Sequence, residues 1–77
     1  MARFEYMVCT AQLMHLTFVN GQWQGDLPPD ASGALDTCPK LWDFLQEAGE
    51  GGWDLVAVNA AKDDELSTLY LKRERKL

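Results

Sequence analysis

Gly49-Glu50-Gly51-Gly52-Trp53-Asp54-Leu55-Val56 is the stretch whose reading decides the fold. Glycine at 49 suits the left-handed position just past a helix, and Gly51-Gly52 complete a reversal into a strand that opens at Trp53. Reading back from it, Leu41, Phe44, Leu45 and Ala48 fall at i, i+3, i+4 and i+7, while Asp43, Gln46, Glu47 and Glu50 take the other side. This predicts an amphipathic helix. Asp36, Thr37 and Cys38 offer capping groups ahead of Pro39, and proline loses nothing in a first helical turn, so the helix is expected to start near Pro39. Reading forward, Trp53 to Ala60 is apolar on both sides except at Asp54 and Asn59, the pattern of a central strand. Lys62-Asp63-Asp64-Glu65 reads as a turn into a last strand, Leu66 to Arg73, with Leu69 and Leu71 on one side and Tyr70 on the other. So short a link requires antiparallel pairing.

Upstream, Arg3 to Cys9 alternates, placing Phe4, Tyr6 and Val8 on one strongly apolar side. The parity continues through Met14, Leu16 and Phe18, so residues 3 to 19 form either one bent strand or two. Asn20-Gly21 is a hairpin signal, because both central residues of a type I′ turn need positive φ. Two-residue closure sets Val19 opposite Gln22 and Phe18 opposite Trp23, an aromatic cross-strand pair. Pro28-Pro29 and Gly33 forbid a regular ladder from Gly25 to Asp36, which is read as a long loop.

The 77 residues make one domain, 47% apolar and 25% charged, as globular chains are. Net charge is −5, yet Lys72-Arg73-Glu74-Arg75-Lys76 carries +3, leaving −8 on the rest. So acidic a body repels phosphate backbones, and no nucleic-acid partner is expected. No apolar run approaches the roughly 20 residues that cross a bilayer, and Arg3 and Glu5 interrupt a signal-peptide pattern. The expectation is a cytoplasmic protein without a membrane partner, with Cys9 and Cys38 reduced.

Phe4-Glu5-Tyr6-Met7-Val8, the segment from Leu45 to Val56, and Leu69-Tyr70-Leu71-Lys72-Arg73 together resemble a short bacterial domain family of unknown function. That family has an aromatic first strand, a Gly-Trp-acidic-Leu-Val strand and a closing Lys-Arg strand. The resemblance covers about two-thirds of the chain, implies a strand-helix-strand-strand core, and supplies no activity or catalytic residues. Against it, the hairpin and loop at about 10–36 read as an insertion.

Catalytic chemistry finds little support. His15 is the only histidine, and with Cys9 it lacks the third, orienting group that a nucleophilic pair needs. Two isolated cysteines and one histidine give neither the count nor the spacing of a zinc site. Asp63-Asp64-Glu65 lacks the alternating ligands and central glycine of a calcium loop. The glycines at 49, 51 and 52 stand after a helix rather than before one, the wrong order for phosphate binding. No catalytic, cofactor-binding or metal residue is assigned, and no cofactor is expected.

The resulting expectation is an α+β fold, a small mostly antiparallel sheet with one helix packed on one face. With apolar residues on both sides of its strands, the second face needs cover, from the hairpin or from a second copy. The function this suggests is a non-enzymatic, self-associating binding or adaptor module, a dimer with a possible protein partner. Trp23, Trp42, Tyr70, Leu69 and Leu71 are its candidate interaction surface. A small-ligand sensor with a pocket between the sheet and the 25–36 loop is the alternative, and a Cys-dependent enzyme the third reading.

Overall fold

A computed structural model describes residues 2–60 and 66–75. Five strands, β1 (Phe4–Gln12), β2 (His15–Val19), β3 (Gln22–Trp23), β4 (Asp54–Ala60) and β5 (Leu66–Glu74), form one antiparallel sheet in the order β3-β2-β1-β5-β4. One helix, α1 (Leu41–Glu50), packs on one face, so the α+β architecture read from the sequence is the one the chain adopts.

The hairpin has the register its turn dictates. Val19 pairs with Gln22 and Phe18 with Trp23, and the two rings meet edge to face with centroids 5.3 Å apart. Asn20 takes a φ of 48° and Gly21 one of 83°. The Asn20 side chain also accepts a 2.8 Å hydrogen bond from the Val8 amide, which ties the hairpin to β1.

Residues 3 to 19 form two strands rather than one. Leu13 and Met14 turn the chain between β1 and β2 with φ of 50° and 66°, a conformation ordinarily left to glycine and asparagine. A bulge at Thr10/Ala11 leaves Thr17 as the extra residue of β2. Its hydroxyl donates to the Thr10 carbonyl (3.1 Å) and accepts from the Thr10 hydroxyl (2.8 Å), so Thr17 turns away from the side that Val19 packs on.

The helix runs through Gly49 to Glu50, and the left-handed residue is Gly52 at φ 89° rather than Gly49. Gly51 donates to Glu47 O, and Trp53 to Ala48 O, closing the last turn. Leu41, Phe44, Leu45 and Ala48 pack onto Met7, Cys9, Ala11, Leu16, Leu69 and Leu71, the stripe that the spacing predicts. On β1 the buried side is therefore that of Met7, Cys9 and Ala11. Phe4, Tyr6 and Val8, its more apolar side, face away from the helix.

The strand opening at Asp54 is at the edge of the sheet, not in its centre; the centre belongs to β1 and β5, paired over nine residues. Leu55 and Val58 share the helix side by register with Leu71 and Leu69, but every residue of β4 is exposed. The turn expected at Lys62 to Glu65 lies outside the described residues. The hairpin extends the sheet rather than folding over it.

Candidate interaction surface

On the sheet face opposite the helix, Val8 pairs with Tyr70, Tyr6 with Lys72 and Phe4 with Glu74. Strand alternation brings these side chains to one side, and Lys72 Nζ lies 4.7 Å from the centre of the Phe4 ring. Phe4 is 41% exposed, Tyr6 65% and Tyr70 38%. At about 200 Å² per aromatic side chain, these three rings leave roughly 300 Å² in water. Val8 adjoins them, also exposed. At the sheet edge, β4 exposes Leu55 and Val58 on the helix side, and Val56 at its bulge, each about half exposed.

The other end of this face is occupied by the chain's own loop. Pro29 and Leu35 approach Thr10, Gln12, Phe18, Trp23, Leu66 and Thr68 around an open cavity of about 440 Å³. Trp23 Nε1 donates to Leu27 O at 2.7 Å, and the Thr37 hydroxyl accepts from the Asp26 amide (2.9 Å) while donating to Ala34 O (2.6 Å). Only glycine fits at 25, where a Cβ would stand 2.5 Å from Thr37 Oγ1 and 2.8 Å from the Trp23 ring. The chain then passes the edge of β2, where Leu16 N donates to Pro39 O and Leu41 N to Met14 O, and enters the helix on the first face.

At the far end, Arg73 links β5 to β1 and to the turn between α1 and β4. Its guanidinium donates to Glu5 Oε1 (2.8 Å) and Gly51 O (3.0 Å) and lies 4.4 Å from the centre of the Trp53 ring. These contacts satisfy a carbonyl at the helix end and fix Trp53 against the core. The open cleft beside it, about 600 Å³, is rimmed by Glu5, Glu50 and Glu74. Arg73 is thus already engaged within its own chain.

Of the five surface candidates, Leu69 and Leu71 are core residues, packed under the helix. Tyr70 belongs to the exposed aromatic patch, Trp23 holds the loop, and Trp42 stands apart on the helix, with Lys40 Nζ 5.7 Å from its ring centre. Phe4, Tyr6 and Val8 are the residues that the surface reading missed. Their alternation was visible, but alternation gives two sides and not which one the helix takes.

Cys9 is 0% exposed, and burial pushes its thiol up from the ordinary 9.0 to about 11. It is held as the thiol near neutral pH, the poorer nucleophile. Cys38 is also raised, first by burial and then by the charge of Asp26. The His15 ring is buried, and its Nδ1 donates to the Cys38 carbonyl at 3.1 Å, a structural hydrogen bond. Among the described residues no group of three His, Cys, Asp or Glu is placed to hold a metal. No helix among the described residues is long and apolar enough to cross a membrane.

The Cys9 shift has a measurable consequence. Above pH 9 the unfolded chain gains by ionising this thiol while the folded chain does not. The stability it contributes is complete below pH 9 and lost as pH rises through 11. Urea titrations should show a fall on the order of 2 kcal/mol across that window attributable to this group. Cys9→Ala should show a shallower decline than the parent chain over the same pH range.

Comparison of the chain with protein-family models, with curated proteins and with solved structures returns no match.

Proposed function

We propose that this chain is a non-enzymatic, self-associating binding module: copies join through the sheet, and the joined sheet presents its aromatic face to a protein partner. The observation that carries this reading is the apolar surface left uncovered on the sheet, Phe4, Tyr6, Val8 and Tyr70 on one face and the whole of β4 at its edge. The aromatic trio alone reaches the roughly 300–600 Å² of the largest patch on a typical monomer, and such patches are often functional. A domain this small also hides a modest fraction of its surface, and association with a second copy is a common remedy. We also place the chain with the bacterial family it resembles, because the resembling blocks supply β1, the helix end, β4 and β5, which adjoin in the fold. Light scattering coupled to size exclusion tests the proposal: a mass of two chains at tens of micromolar is the expected result, and a single-chain mass throughout counts against it.

The cavity under Pro29 and Leu35 favours a second reading, a sensor of a small apolar ligand stacked on Trp23. A metabolite that raises the melting temperature and shifts Trp23 fluorescence would support it.

A further inference from the structure

We propose that β4 pairs antiparallel with β4 of a second copy, about a two-fold axis at Val58, to make one continuous sheet. This rests on the reading of the chain as a self-associating module and specifies where the seam lies.

The two edges of the sheet differ. At one end β3 is only two residues long, and beyond it the edge of β2 is taken up by the bridge between His15 and Lys40 and by the Leu16–Pro39 and Met14–Leu41 hydrogen bonds. That end offers little to pair with. At the other end β4 presents seven exposed residues whose outer amides and carbonyls have no neighbouring strand among the described residues. Protein edges of this length are usually guarded by lysine, proline, inward charges or bulges. Strand β4 holds neither lysine nor proline, and its one charge is Asp54, at its first position. Its bulge, between Leu55 and Ala57, leaves Ala57 to Ala60 in regular register. A protein with one open edge and one blocked edge adds a single copy and stops, which gives a closed pair rather than a filament.

The composition of β4 adds to this. Asp54-Leu55-Val56-Ala57-Val58-Asn59-Ala60 carries apolar side chains on both faces, and all of them are exposed in the single chain. A strand of the second copy laid beside them shields their outer flanks.

Register follows from side-chain parity. Residues directly opposed across antiparallel strands point to the same face, so a strand paired with its own copy must place the axis on a residue, not between two. Val58 lies on the helix side, opposite Leu69, whereas Ala57 and Asn59 lie on the other side, opposite Tyr70 and Thr68. An axis at Val58 sets Val58 against Val58 of the partner subunit and Ala57 against Asn59 of the partner subunit. From Ala57 to Asn59 each side chain then meets one on its own face. Asp54 falls four residues from the axis, so the strand's charge does not meet its copy. The pairing also covers Val58, which is 54% exposed in the single chain.

The experiment is light scattering on the full chain, on Val58→Lys, which places two ammonium groups on the axis, and on Val58→Thr, which keeps an uncharged β-branched side chain there. The parent and Val58→Thr should show twice the chain mass, and Val58→Lys the mass of one chain with an unchanged far-ultraviolet spectrum. A Val58→Lys variant that remains a dimer overturns the β4 seam while leaving self-association standing. A parent chain that is monomeric overturns both. Should the lysine variant fail to fold, amide exchange on the parent decides. Protection along β4 that is lost on dilution supports the seam, and β4 amides indifferent to concentration overturn it.

Discussion

Leu71→Ala is expected to lower the stability of this domain by about 3 kcal/mol, within the roughly 2–5 kcal/mol seen when a buried leucine is cut back to alanine. Leu71 is 1% exposed, pairs with Met7 on one side and Leu55 on the other, and lies in the cluster under the helix. In so small a domain the remaining structure has little freedom to close over the gap. A domain of 77 residues has about 4–12 kcal/mol in all, so the loss is a large share of the total. At roughly 4–8 °C per kcal/mol, the melting temperature should fall by about 15 °C, read at fixed protein concentration because association itself adds stability. Tyr70→Ala, one residue away but on the exposed face, should cost the single chain far less. Similar losses at both positions would contradict the assignment of the buried face.

Replacing Leu13-Met14 by Asn-Gly is expected to do the opposite and stabilise the chain by about 1–2 kcal/mol. Both residues hold positive φ, which costs ordinary residues roughly 1–2 kcal/mol each, whereas Asn-Gly is the preferred pair for two-residue hairpin loops. Both side chains are about half exposed, so little packing is given up. The hydrogen bond from Leu41 N to Met14 O is made by backbone and survives the change. Thermal melts of the double variant should rise by several degrees. A fall would mean that the side chains, which line a small cavity with Ala11, Leu41 and Ser67, contribute more than the turn costs.

These two sites also show what could be read from the residues. Local rules gave the hairpin and the helix face, but they put the helix start near Pro39 and its left-handed glycine at 49, where the structure has Leu41 and Gly52. Asn20-Gly21 set the hairpin register through Phe18 and Trp23, and the spacing from Leu41 to Ala48 defined the buried stripe of the helix. The turn at Leu13-Met14 carried no such signal, because neither residue favours the conformation it adopts, so one strand could not be told from two. On β1, alternation separated Phe4, Tyr6 and Val8 from Met7, Cys9 and Ala11, but the more apolar side went to the surface. Size is consistent with that choice: the buried side carries the small residues Cys9 and Ala11 in the cluster against which Phe44 and Leu45 pack.

The stretch from Gly49 to Val56 defined the helix end and the strand that follows, while misplacing that strand in the sheet. Its apolar pattern describes a strand covered on both faces, whereas β4 lies at the edge with every residue exposed. Those exposed apolar residues, on a strand without lysine or proline, leave that edge open to a second copy. The candidate surface was less legible still, since Leu69 and Leu71 differ from Tyr70 only by the parity of one strand.

Small-angle scattering across a concentration series tests self-association through the sheet most directly. The single chain has a radius of gyration of 13.4 Å over its Cα atoms. Forward scattering should double on concentration and the radius should rise well above this value, as two sheets joined edge to edge form an elongated particle. Forward scattering that stays at one chain, with a radius that remains near the single-chain value at every concentration, would contradict self-association.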